Sequence, residues 1–357
     1  MKETWIQEAY QGVVPEGTHN SVKWQSPSNI ALVKYWGKKG RQLPQNPSIS
    51  FTLSNCKTET SVFFEKSDRF GLRFSFNGKE EEKFQAKIQG YLMENQEFFP
   101  FIHQLDLDIR SRNTFPHSSG IASSASSMSA LVMCLLDIER QLKGASEIDL
   151  RKASYLSRLA SGSACRSLFP VMALWGATSS VPDSSDAYAV SLESQINPVF
   201  KSYRDSILIV SDAQKEVSSR AGHALMDGNP YAEVRYATAR KDVNELLQAL
   251  TTGDLGAFIR ITESEAMQLH ALMMCSNPSF ILMKPNTLRI INALHEFRKE
   301  TDIPVCFTLD AGPNVHVLYP NDYAELVERF IMDELERFCA NGQWINDLVG
   351  AGASKCD

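Results

Sequence analysis

No stretch of this chain is apolar for long enough to cross a bilayer. The longest such run, Leu131-Val-Met-Cys-Leu-Leu136, falls far short of the roughly 20 residues a membrane helix needs. No two cysteines have C-x-x-C spacing. The seven that occur (Cys56, Cys134, Cys165, Cys275, Cys306, Cys339 and Cys356) are odd in number and scattered, which argues against a disulfide framework or a cysteine zinc site and fits free thiols in a reducing compartment. The seven histidines show no ligand spacing and read as structural. An excess of positive charge is also missing. Lys and Arg number 36 against 42 Asp and Glu, a net charge of −6, which argues against general nucleic-acid binding, and any anionic ligand must be held by local clusters. Internal repeats and low-complexity tracts are absent. Met1 to Tyr10 carries charges and no apolar centre, so it does not read as a signal peptide. A soluble, cytoplasmic protein is expected.

What is present is ample apolar content, 43% of 357 residues, enough for two domains. Residues 46–55 alternate Ile49, Phe51 and Leu53 with Ser50, Thr52 and Ser54, which predicts a half-buried strand. Strands are also expected at 60–64, 72–76 and 107–113, with helices at 81–96 and 148–159. The polar stretch 179–185 reads as surface loop, and Ser206-Ile-Leu-Ile-Val210 as a buried strand. This places a domain boundary near residue 190, giving domains 1–190 and 191–357. The second contains helices at about 220–226, 231–253, 255–275 and 288–301. A hairpin follows at 305–309 and 315–319, then a last helix over about 322–339. Strands and helices mix without strict β-α alternation, which predicts an α+β fold.

Five segments carry chemistry. Asn113-Thr-Phe-Pro-His-Ser-Ser-Gly-Ile-Ala-Ser-Ser-Ala-Ser-Ser127 is a small-residue loop running into a helix marked by Met128, Leu131, Val132, Leu135 and Leu136. Free N–H groups and the helix dipole favour an anion there. Ser118, Ser119, Ser123, Ser124 and Ser126 add hydroxyls around Gly120, so the loop reads as a cradle for a polyphosphate such as ATP. A small-residue helix start packed on a neighbour would look alike. In Asn29-Ile-Ala-Leu-Val-Lys-Tyr-Trp-Gly-Lys38, the residues Lys34, Trp36 and Lys38 lie two apart and share one face of an extended chain. With Tyr35 they suit a diphosphate; a solvated basic edge is the alternative. Ser161-Gly-Ser-Ala-Cys-Arg166 sets two hydroxyls beside an arginine fork suited to carboxylate or phosphate, or forms an ordinary cap with a surface arginine. Cys165 reads as a packed small residue, because no histidine partner supports a nucleophile. Val217-Ser-Ser-Arg220 opens a helix with Ser219 and Arg220, as an anion site or a plain cap. Finally, in Thr308-Leu-Asp-Ala-Gly-Pro-Asn-Val315, Asp310 ends a strand. Beside a cation such as Lys34 it could accept a proton from a substrate hydroxyl, or it could merely stabilise its turn.

These segments, in this order, resemble the mevalonate diphosphate decarboxylases of the GHMP kinase superfamily. The resemblance implies a two-domain fold, with an N-terminal ribosomal-S5-like domain, a C-terminal ferredoxin-like domain and an active site in the cleft between them. It implies ATP-dependent decarboxylation of mevalonate 5-diphosphate to isopentenyl diphosphate, with ADP, phosphate and CO2 released. By resemblance Asp310, Lys34 and Arg166 are catalytic, and Tyr35, Lys38, Ser161, Ser163, Ser219 and Arg220 hold the diphosphate. Ser118, Ser119, Gly120, Ser123, Ser124 and Ser126 bind ATP, and Ser124 reaches the magnesium that accompanies it. A homodimer is implied. The loop reads Phe-Pro-His-Ser-Ser-Gly where better-known members have Pro-Thr-Ala-Ala-Gly, and Gly350-Ala-Gly-Ala353 fits no motif. Alternatives are a decarboxylase of mevalonate 5-phosphate, a kinase of the C3 hydroxyl, or a silent nucleotide-binding homologue.

Overall fold

The computed structural model describes residues 1–116, 121, 123–213 and 219–356, with backbone only at 219 and 220. The chain begins with α1 (Lys2–Gln7), β1 (His19–Ala31), a short hairpin of β2 (Lys38–Lys39) and β3 (Leu43–Pro44), and β4 (Ser48–Lys66). Then come β5 (Gly71–Phe76), β6 (Lys79–Glu80), α2 (Glu82–Glu94), β7 (Leu105–Asn113), α3 (Ser123–Lys143), α4 (Leu150–Ala160), β8 (Met172–Trp175) and β9 (Ala189–Ser191). The remainder forms α5 (Pro198–Lys201), β10 (Arg204–Leu208), α6 (Ser219–Ala224), α7 (Ala232–Thr252), α8 (Leu255–Met274) and α9 (Pro285–Thr301). It ends with β11 (Cys306–Leu309), β12 (Val315–Tyr319), α10 (Ala324–Phe330), β13 (Trp344–Leu348) and β14 (Ser354–Lys355).

Local chemistry sets several of these ends. Asp149 caps α4 by accepting the Arg151 and Lys152 N–H groups. Gly253, left-handed at φ +83°, closes α7, and the next residue, Asp254, caps α8 through Ala257 N–H. The two long helices are therefore joined by two residues whose chemistry is legible in the sequence.

The first half carries an eight-stranded sheet of order β14-β1-β4-β7-β5-β6, with β8 on β4 and β9 on β8; only β5 and β7 run parallel. Helix α3 packs on β1 and β4 through Met128, Leu131, Val132 and Leu135. The second half carries the antiparallel sheet β11-β12-β10-β13. A continuous apolar core joins the halves: Ile49, Phe51 and Leu53 of β4 belong with Ile207, Leu318, Leu246 and Phe258.

Several expectations need correction. The strands expected at 46–55 and 60–64 are one, β4, and its first six residues are buried on both faces. The serine and threonine face is covered by the segment after α4: Thr52 Oγ1 donates to Phe169 O, and Ser48 Oγ bonds Val33 O and the Arg166 guanidinium. Small hydroxyls that can donate to a nearby carbonyl are tolerated inside, so alternation misreported exposure. The helix expected at 322–339 is α10 alone, followed by a wider turn at 331–335 and a tighter one at 336–338. Strands β13 and β14 were not anticipated.

Both fasten the halves together. Between Pro27 and Asn29 the pairing of β1 with β4 shifts register, so β4 bulges at 53–56. The N–H groups freed there are taken by one buried carboxylate, Asp347 of β13, which accepts from Ser54, Asn55 and Cys56. The tail then crosses back. Gly350 exchanges backbone hydrogen bonds with Thr52 and Val171, and β14 pairs with β1. This explains Gly350-Ala-Gly-Ala353. A Cβ at Gly350 would collide with Leu53 O, and one at Gly352, where φ is +82°, would lie 2.7 Å from Leu168 O. Gly350→Ala is expected to cost about 1–3 kcal/mol through overpacking against backbone, read as a lowered melting temperature.

Candidate active site

Strand β1 ends at Ala31, and residues 32–37 are irregular before β2 begins at Lys38. The expected extended face of Lys34, Trp36 and Lys38 is therefore absent. The turn at Gly37, φ +86°, instead brings Lys34, Tyr35, Trp36 and Lys38 all to one cleft. The main chain of Lys34 is pinned on both sides: its N–H donates to Glu265 Oε2 at 2.8 Å, and its carbonyl accepts from Asn46. The Lys34 side chain is 2% exposed and donates to Ala31 O at 2.5 Å.

The cleft encloses about 320 Å³ and is lined from both halves. From the first come Asn29, Lys34, Tyr35, Lys38, Ser124, Ser161, Ser163 and Arg166; from the second come His223, Leu269 and Asp310. The three residues expected to be catalytic thus meet in one crevice. The charge of Asp310 acts on Lys34, Arg166, His223 and His270. Burial lowers Lys34 to about 8, opposed chiefly by Asp310. Burial likewise lowers Arg166, with Cys165 and Asp310 opposing. Three buried polar atoms of cleft-lining residues have no hydrogen-bond partner among the described residues: Asn29 Oδ1, Tyr35 Oη and Arg166 Nε. Buried polar groups are normally paired, so these suit a polar ligand.

The serines separate. Ser124 is exposed and lines the cleft, with its hydroxyl 3.4 Å from that of Ser161. Ser123 begins α3 half-buried. Ser126 is turned inward instead, bonded to Thr58 Oγ1 at 2.6 Å and to Ser123 O, and does not line the cleft. Its position one turn into α3 points it at β4. Ser118, Ser119 and Gly120 lie outside the described residues, as do the side chains of Ser219 and Arg220, which open α6. Cys165 is buried, its thiol donates to Gly162 O, and burial pushes it up to about 12, which fits a packed residue.

Sequence reasoning missed several contributors. Asn29 was quoted in its motif without a role; its amide holds Ser163 O and Ser167 Oγ, anchoring the Ser161–Arg166 turn. His223 packs its ring on Tyr35 and Trp36, and its Nδ1 accepts Gly37 N–H. Burial, with Lys38 nearby, lowers it to about 3. Gln42 and Lys87 also line the cleft. Spacing could not have found these, since each reaches the site from a separate element.

A largely antiparallel sheet backed by a helix whose first residues are serines is joined to a four-stranded, helix-backed sheet, with a cationic cleft lined from both halves. This is the two-domain α+β architecture of the GHMP kinase superfamily. Residues 26–189 match the diphosphomevalonate decarboxylase-like N-terminal domain, and residues 206–348 match the mevalonate 5-diphosphate decarboxylase C-terminal domain. The chain belongs to the diphosphomevalonate decarboxylase family. It is 32% identical over 314 residues to the diphosphomevalonate decarboxylase of Saccharomyces cerevisiae, covering 82% of this chain and 76% of that protein. The mevalonate diphosphate decarboxylase of Staphylococcus aureus superposes with a TM-score of 0.82 at 28% identity, over 95% of this chain and 99% of that one. MDDEF, solved in complex with MVAPP, AMPPCP and magnesium, superposes at 0.80 and 27% identity, over 95% and 100%. No helix among the described residues is long and apolar enough to cross a membrane.

Proposed function

We propose that the cleft decarboxylates mevalonate 5-diphosphate with ATP, and that its residues divide the work as follows. The single observation that carries this reading is the meeting of Asp310, Lys34 and Arg166 around three unpartnered polar atoms. Lys38, Tyr35, Ser161 and Ser163, with Ser219 and Arg220, bind the diphosphate. Arg166 holds the substrate carboxylate with its fork. Asp310 takes the C3 hydroxyl proton as that oxygen bonds to the γ-phosphorus and ADP leaves. Lys34 offsets the charge gathering beside Asp310. The C3–O bond then breaks with phosphate departing, while the carboxylate C–C pair becomes the new C=C and CO2 leaves. Ser123 and Ser124, with Ser118, Ser119 and Gly120, hold the nucleotide phosphates. Magnesium carried by ATP would neutralise phosphate charge, and Ser124, exposed at the cleft, fits one contact to it; the paired hydroxyl of Ser126 does not.

The division into domains 1–190 and 191–357 is supported by the two family matches, which end at 189 and resume at 206. By family resemblance the protein acts as a cytoplasmic homodimer.

The test is ATP-dependent CO2 release from mevalonate 5-diphosphate by the purified protein. Release only from the 5-monophosphate rejects the substrate, and a phosphorylated product without CO2 rejects the reaction. The buried Lys34 predicts a pH dependence. A lysine lowered to about 8 is charged below that pH and neutral above it, so kcat/KM, which reports the free enzyme, falls as pH rises through about 8. Bound phosphates favour the charged lysine, so the limb in kcat lies higher. A limb at the same pH in both profiles would count against Lys34.

A further inference from the structure

We propose that α8 fixes the relation between the two reacting groups, with Glu265 and His270 as positioning residues that hold the main chain of Lys34 and of Asp310 respectively. This rests on the roles given above to Lys34 and Asp310. Glu265 is fully buried; its Oε2 accepts Lys34 N–H at 2.8 Å and Arg235 Nη2 at 2.6 Å. Five residues further along the same helix, His270 is 2% exposed, and its Nε2 lies 3.1 Å from Asp310 O. A carbonyl oxygen only accepts, so Nε2 carries the proton. Burial lowers His270 to about 4, which keeps the ring neutral and its tautomer fixed. Between the two, Leu269 lines the cleft.

Five residues of α-helix rise about 7.5 Å, and Ile261, Glu265, Ala266, Leu269 and His270 are all buried along this stretch of the helix. A stiff rod thus reaches from the β1–β2 turn of the first half to the β11–β12 turn of the second. Burying the Glu265 carboxylate is costly unless it is paired. The Arg235 guanidinium pairs with that charge, and the same oxygen takes the Lys34 N–H, so the ion pair anchors the carboxylate that holds the β1–β2 turn. Asp310 O also accepts Gly312 N–H at 2.7 Å, so losing His270 leaves that oxygen bonded and the turn folded, and what changes is placement.

The test compares H270L and H270Q, with D310N in parallel. H270L is expected to lower kcat about 10- to 100-fold, the effect of a misplacement near 1 Å, while KM for ATP and for mevalonate 5-diphosphate stays within about threefold. H270Q, whose amide N–H reaches the same carbonyl, recovers most of the rate. Wild-type kcat in H270L overturns the proposal, as does H270Q falling as far as H270L. Should H270L not fold, H270N, too short to reach the carbonyl, replaces it, and equal rates in H270N and H270Q overturn the proposal. An active D310N overturns the underlying assignment of roles instead. For Glu265, E265Q keeps the acceptor and removes the charge. Lys34 also faces Asp310, Arg166 and Asp205, and Glu265 faces Arg235 and Asp242 of α7. Removing one negative neighbour moves the falling limb of kcat/KM below about 8; an unmoved limb overturns this half of the claim.

Discussion

Asp310→Asn lowers kcat for CO2 release by about 10²–10⁴-fold, the range of a lost general base, while KM for mevalonate 5-diphosphate stays within about threefold. The amide keeps the shape of the carboxylate and cannot take the C3 hydroxyl proton. A second effect reinforces the first. The Asp310 charge is the main influence holding the buried Lys34 in its charged form, so its removal also lowers the Lys34 pKa and shrinks the charged fraction of that lysine. Product analysis separates the steps. ADP and CO2 must fall together, because the proton is taken in the same step as the phosphoryl transfer that frees ADP. Turnover close to wild type would take Asp310 out of the mechanism.

Arg166→Gln is expected to cut kcat/KM by about 2–5 kcal/mol, roughly 30- to 5000-fold, the cost of truncating one partner of a buried charge pair. The side chain is 2% exposed, bonded to Ser48 Oγ and placed 5.9 Å from the Trp175 ring centroid. It is therefore held rigidly with Nε left over. Gln keeps a donor but lacks the charge and the planar fork. Arg166→Lys keeps the charge alone and should recover only part of the loss. An unchanged kcat/KM in Arg166→Gln would make the residue a packing element.

The motifs that were legible are those in which several chemical groups crowd into ten residues, as in 29–38, 161–166 and 308–315. Their types limit what they can bind, whatever their exact backbone. Lys34 and Tyr35 illustrate the limit of that reading. Their chemistry was recoverable, but the extended geometry assumed for them was wrong, since Glu265 and Asn46 hold the Lys34 peptide in a turn. His270 and Glu265 were illegible because each is a single polar residue on the apolar side of α8, where its partner lies 40 residues on in one case and 231 back in the other. Ser126 was misassigned because a serine repeat does not say which hydroxyl a helix turns inward. The alternation at 46–55 was correct in period and wrong in exposure, because a later segment covers the polar face.

The pairing of Gln25 with Ser354 joins positions 329 residues apart. During synthesis the Trp24–Gln25 stretch of the large sheet's outer rim therefore stays unpaired until β14 has been made. A nascent chain stalled short of β14 would present β1 as an open edge, the kind of surface that recruits other strands. Pairing of β14 with Trp24 and Gln25 then covers part of the rim that would otherwise invite such contacts.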